Sequence, residues 1–122
     1  MIDFQNGSFV KLKKTTETPN ELFALLVDGE NVISTYKGLR DYVAFTTKRI
    51  ISVNVQGVTG KKKDYTSMPY SKVQAFSVET AGVFDLDGEL ELYFSGLGKV
   101  KFEFTGASDI VAIGKIISQH IL

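Results

Sequence analysis

The feature that most restricts the fold of this sequence is a pair of alternating runs around two glycines. From residue 89 to 95 the apolar residues Leu90, Leu92 and Phe94 are separated by Glu89, Glu91 and Tyr93. From residue 99 to 105, Val100, Phe102 and Phe104 are separated by Lys99, Lys101 and Glu103. A period of two turns one face to a core and the other to water, as in a half-buried strand. Gly96-Leu97-Gly98 predicts a three-residue hairpin loop with Gly98 in the left-handed conformation. That loop sets Ser95 opposite Lys99, Phe94 opposite Val100 and Leu92 opposite Phe102. A slip of one residue would face Leu92 with Lys101, so the alternation selects the register.

The rest of the chain supports a mainly β reading. Val, Ile and Thr account for 31 residues and Phe and Tyr for 14 more, against six Ala. These types favour a pleated surface. Further strands are expected over 31–37, 42–46, 50–55, 62–67 and 73–80, with Pro69 marking a strand end or edge. With the two alternating runs this makes seven strands and no interrupting helix, which excludes a parallel βαβ sheet.

Helices flank the strands. Thr18-Pro19-Asn20-Glu21 has the spacing of a capping box with proline in the first turn, opening a short helix that carries Leu22, Phe23, Leu25 and Leu26. The last 16 residues form the stronger helix. Ile110, Ile113, Ile117 and Ile121 recur at helical spacing, and Asp109 lies at the end favoured by the helix dipole. Gly114 permits a close approach of this helix to the sheet. The expected organisation is an N-terminal extension with a short helix over 1–30 and a β domain over 31–122. The β domain is a strongly bent antiparallel sandwich or partial barrel of seven strands, closed by the C-terminal helix.

In its residues the chain closely resembles the bacterial pleckstrin-homology (PH) domain family. The resemblance is carried by Arg40-Asp41-Tyr42-Val43-Ala44-Phe45-Thr46-Thr47-Lys48-Arg49-Ile50-Ile51, by residues 55–63, by Ser67-Met68-Pro69-Tyr70 and by residues 76–87. It implies the PH-like fold, a cytoplasmic bacterial setting and assembly into ring-like homo-oligomers. It implies no activity, since fold does not carry function with it.

Composition excludes several chemistries. Lys plus Arg and Asp plus Glu each number 14, so no long-range field draws in nucleic acid, and any anion site must be local. There is no Cys, which removes thiolate catalysis and cysteine-held metals, and a single His cannot share a metal with another. No cofactor or metal is expected. The start of the sequence lacks the apolar run of a secretory signal, and no window reaches the ~18 apolar residues of a spanning helix. A cytoplasmic protein without stable membrane insertion is the expectation.

Four clusters invite a chemical reading. Lys37, Arg40, Lys48, Arg49, Lys61, Lys62 and Lys63 form a candidate basic patch for a small anion or anionic lipid headgroup. It requires the turns that bear them to be adjacent, and the basic triplet of phosphoinositide-binding PH domains is missing. Gly57 to Lys61 resembles a phosphate loop superficially, but Val55 stands in place of the first glycine and Lys62 in place of the hydroxyl. Asp85, Asp87, Glu89 and Glu91 fit a charged outer strand face opposite Lys99 and Lys101 better than a calcium loop, whose glycine would be sixth. His120 sits near a helix C-terminus, where the dipole favours a cation.

These readings favour a non-enzymatic interaction module that assembles with itself; an anion or headgroup binder is the alternative. Ile2, Phe4, Phe9, Leu12, Leu22 and Phe23 lie outside the seven strands and the closing helix. They are the candidate interface of a homo-oligomer larger than a dimer. A peptide or protein partner is the other expected ligand; nucleic acid is not.

Overall fold

The structure, a computed structural model, describes residues 1–5, 9–84, 86–105 and 109–122. Its strands are β1 (Phe9–Thr15), β2 (Val32–Lys37), β3 (Tyr42–Thr46), β4 (Arg49–Gln56), β5 (Lys62–Pro69), β6 (Val73–Glu79), β7 (Gly88–Phe94) and β8 (Gly98–Phe104). The helices are α1 (Asn20–Leu25) and α2 (Ile110–Ile121), with a single 3-10 turn at Tyr70–Lys72. One sheet holds all eight strands in the order β5-β4-β3-β2-β1-β8-β7-β6. Every neighbouring pair is antiparallel except β1 with β8. The sheet is not closed: β5 and β6 are its two edges.

The seven expected strands are present, and β1 is an eighth. It joins the two halves of the sheet, pairing with β2 on one side and β8 on the other. Its register shifts between Phe9 and Leu12, where Lys11 has φ +54°, so its apolar residues do not alternate. The stretch over 1–30 thus contributes a central strand as well as a helix.

The hairpin loop lies one residue earlier than expected, which shifts the strand register by two. Leu92 faces Val100, Leu90 faces Phe102 and Phe94 faces Gly98, which leaves Ser95, Gly96 and Leu97 as the loop. A shift of two preserves the buried face, so alternation alone cannot separate the two registers. Both Gly96 (φ +84°) and Gly98 (φ +89°) take the left-handed conformation that the turn requires.

The sheet bends until its two halves share one core. Tyr36, Val43, Phe45, Ile50 and Met68 from one half pack in a single cluster with Leu90, Leu92, Val100, Phe102 and Phe104 from the other. Ile110, Ile113 and Ile117 of α2 close this cluster. Asp109 caps the helix by accepting a hydrogen bond from Ala112 N at 3.1 Å. A Cβ at Gly114 would stand 2.8 Å from Val78 Cγ2, so glycine is what lets α2 lie against β6.

A second, smaller cluster lies on the opposite face of β3 and β4. Leu22 of α1 is buried there with Ala44, Ile51 and Val53. The expected capping box does not form: Pro19 is the N-cap without a side-chain bond, and Thr18 pairs with Thr35 hydroxyl to hydroxyl at 2.8 Å. Glu21 instead accepts from Tyr65 Oη at 3.2 Å and pairs with Lys63 at 3.5 Å, which ties α1 to β5. Burial and the Glu21 charge push the Tyr65 phenol up to about 12.

Candidate functional site

The seven cations of the candidate patch are not brought together. Lys48 and Arg49 stand at the start of β4, and Lys61 and Lys62 lie beyond its far end. The eight residues of β4 hold the two turns about 25 Å apart. Arg49 is committed to a buried carboxylate, with Nε 2.9 Å from Glu30 Oε2 and Nη2 2.9 Å from Oε1. Lys37 pairs with Glu17 at 3.3 Å and lies over the Tyr42 ring, and hydrogen bonding to Tyr42 and Glu17 pushes its ammonium up. Lys63 is the partner of Glu21. Arg40 on the β2–β3 turn, Lys61 on the β4–β5 turn and Lys62 at the start of β5 remain at one end of the sheet, where Arg40 Nη2 donates to Gly57 O.

At that end the chain forms a cleft of about 410 Å³. Its walls are the irregular part of β1, the β2–β3 turn and the last residues of β4. The turn is held by Asp41, whose Oδ1 accepts from Val55 N at 2.9 Å and Asn54 Nδ2 at 3.3 Å, while Gly38 N donates to Asp41 O at 2.8 Å. Val10, Leu12, Leu39 and Val55 make the lining largely apolar, and Lys11, Arg40 and Asp41 supply its charge. Leu39 is almost fully exposed, so the cleft carries an uncovered apolar lip. Sequence reasoning found Arg40 but not the cleft, because β1 went unrecognised.

The acidic stripe is a set of cross-strand ion pairs. Lys101 meets Glu89 at 3.2 Å, Lys99 meets Glu91 at 3.7 Å and Lys11 meets Asp87 at 2.8 Å. Asp85 lies outside the described residues. The segment 57–61 is the turn between β4 and β5, with Gly57 and Gly60 at positive φ. His120 packs its ring on Tyr70 at 5.1 Å, with Nδ1 2.7 Å from Ile116 O.

The candidate interface residues fall into three settings. Phe9, Leu12 and Leu22 are buried inside the chain itself. Ile2 and Phe4 are partly buried against the main core. Ile2 N donates to Thr66 Oγ1 on β5 at 3.1 Å, and Gln5 Nε2 donates to Lys99 O on β8 at 2.9 Å, so the first residues bridge the two halves of the open sheet. Phe23 is half-exposed, with Leu25 and Val27 beside it.

A strongly bent sheet with one closing helix is the PH-like architecture, and the bacterial PH domain model matches residues 3–121. The chain belongs to the bacterial PH domain family. This PH domain is 43% identical over 106 residues to the uncharacterized protein YjqA of Bacillus subtilis (strain 168), covering 85% of each chain. The uncharacterized protein YozO of the same strain is 34% identical, with 83% and 87% covered. The crystal structure of a DUF1696-family protein with a pleckstrin-homology domain from Shewanella loihica PV-4 superposes with a TM-score of 0.78 at 39% identity, over 95% of this chain and all (100%) of that one. A pleckstrin-homology domain from Shewanella amazonensis SB2B gives 0.65 at 45% identity, over 84% and 83%. No enzymatic family is indicated. Among the described residues no helix is long and apolar enough to cross a membrane.

Proposed function

We propose that this bacterial PH domain is a non-enzymatic interaction module that assembles with copies of itself into a closed homo-oligomer larger than a dimer. One observation carries the reading: large apolar side chains stand in water at the turn tips. Leu39 is 95% exposed, Val58 104%, Val83 85% and Phe84 100%. Turn tips are ordinarily polar, and each such side chain gains about 1.5–3 kcal/mol when it is covered. Phe23, Leu25 and Val27 add a half-exposed apolar strip on and after α1. Zero net charge leaves little long-range repulsion between copies.

The polar groups support a binding role over a catalytic one. The carboxylates of Asp87, just before β7, and of Glu89 and Glu91 on it are engaged with lysines, and the His120 ring is packed on Tyr70. The alternative, a headgroup binder, retains only Arg40, Lys61 and Lys62 at one end of the sheet. Sedimentation velocity on the purified chain tests the main reading. A single species heavier than a dimer is expected, and a monomer at all concentrations overturns it.

A further inference from the structure

We propose that the seam between the two halves of the open sheet is a peptide site, and that residues 1–5 are its resident occupant. The partner it fits is a protein presenting an aliphatic residue, one spacer and a phenylalanine. The proposal rests on the interaction-module reading but not on self-assembly.

Residues 1–5 cross the seam outside any strand. Each contact that holds them is one another chain can make. Thr66 Oγ1 on β5 gives its hydrogen to Asp64 Oδ1 at 2.7 Å, so it meets the Ile2 N–H as an acceptor, at 3.1 Å. Any residue but proline supplies that N–H. Ile2 and Phe4 lie partly buried on the main core, with the Phe4 ring 5.7 Å from Phe9 and 6.3 Å from Phe102. Those two side chains give the site its selectivity. On the far side of the seam, Gln5 Nε2 donates to Lys99 O at 2.9 Å, through an exposed bond.

Two observations show that the resident segment leaves the seam incompletely used. Ser52 stands directly opposite Thr66 across β4 and β5, on the same face. It is fully buried, and its hydroxyl finds no partner among the described residues. A buried hydroxyl without a partner is costly, and one more polar group from a ligand relieves it. Beside Met1 the seam also opens into a hollow of about 420 Å³, lined by Met68, Pro69, Val73, Phe94 and Leu97. A mostly apolar recess with a few fixed polar groups is the usual form of a binding site.

A tethered occupant competes with any partner at an effective concentration of about millimolar. The intact chain should therefore bind a partner weakly, and emptying the site should reveal the binding. The probe is an acetylated, fluorescein-labelled peptide of residues 1–8, read by fluorescence anisotropy. A chain carrying both Ile2→Ser and Phe4→Ser should bind it about tenfold tighter than the parent, or more. The same peptide with both residues changed to serine should not bind. A double variant that melts cooperatively yet binds no tighter than the parent overturns the proposal, and so does equal binding of the serine peptide. If the double variant does not fold, Gln5→Ala carries the test. Its side chain is exposed, and losing the bond to Lys99 O should tighten peptide binding about threefold; unchanged binding overturns the proposal.

Light scattering on the same samples keeps this apart from self-assembly. A monomeric parent whose double variant binds the peptide sinks assembly alone. An assembled parent whose folded variant binds nothing sinks the peptide site alone. A fall in the mass of the assembly on adding peptide would assign the seam to residues 1–5 of a neighbouring copy and overturn the partner reading.

Discussion

Glu30 and Arg49 form a bidentate ion pair with both oxygen–nitrogen distances at 2.9 Å, and the Glu30 side chain is completely shielded from water. The pair joins the loop after α1 to the start of β4. Thr46 Oγ1 donates to Glu30 Oε2 at 2.6 Å, Val27 N to Oε1 at 3.1 Å, and Arg49 Nη2 also donates to Leu25 O at 2.7 Å. Burial pushes the Glu30 carboxyl up, but the hydrogen bonds from Arg49, Thr46 and Val27 together with the Arg49 charge outweigh it and hold the carboxyl below its ordinary value.

Removing the cation strands a buried carboxylate. Arg49→Met should therefore cost about 3–5 kcal/mol in urea unfolding. The carboxyl also sets an acid limit. Since its folded pKa is depressed, the unfolded chain binds the proton more readily. The contribution is complete above the ordinary glutamate value of about 4.3 and drains away as pH falls below it. Glu30→Gln should flatten the fall in stability below that pH; an unchanged acid limb would show that other carboxylates set it.

Gly114 should resist the usual gain from alanine. A helix interior favours Ala over Gly by about 1 kcal/mol, but the new methyl would meet Val78 Cγ2 at 2.8 Å. Overpacking of this kind costs about 1–3 kcal/mol, so Gly114→Ala should lower the melting temperature. Adding Val78→Ala should recover part of the loss, and strict additivity of the two changes would show that the contact is not the cause.

Phe102 is fully buried, with its ring 5.6 Å from Phe9 and 6.3 Å from Phe4. Phe102→Ala should cost about 3–5 kcal/mol, enough to unfold a marginal domain. A melting temperature equal to the parent's would contradict the β1–β8 packing.

Replacing Lys61, Lys62 and Lys63 by Ser should change the melting temperature by no more than about 2 °C, since Lys61 and Lys62 are exposed and the 3.5 Å pair of Lys63 with the exposed Glu21 is a surface ion pair that adds little to stability. Neither the parent nor the triple variant should bind vesicles of anionic lipid. Salt-sensitive binding by the parent, lost in the variant, would favour the headgroup alternative.

The strands were legible where alternation was regular, as at Leu90–Phe94 and Val100–Phe104. β1 was not, because Lys11 takes a positive φ and breaks the period between Phe9 and Leu12. Missing that strand had two consequences. Phe9 and Leu12 looked like an uncovered surface when they are core, and the cleft beside Arg40 was invisible. The buried Glu30 carried no pattern signal at all, since an acid after Asp28-Gly29 reads as a solvated turn. The candidate basic patch required the turns bearing Lys48, Arg49 and Lys61 to Lys63 to be adjacent, and the eight residues of β4 separate them.

Self-assembly is the central claim, and multi-angle light scattering on the purified chain measures it most directly. The account predicts one discrete mass, an integral multiple greater than two of the 13.5 kDa monomer, unchanged across micromolar concentrations. A monomer mass throughout that range would contradict it.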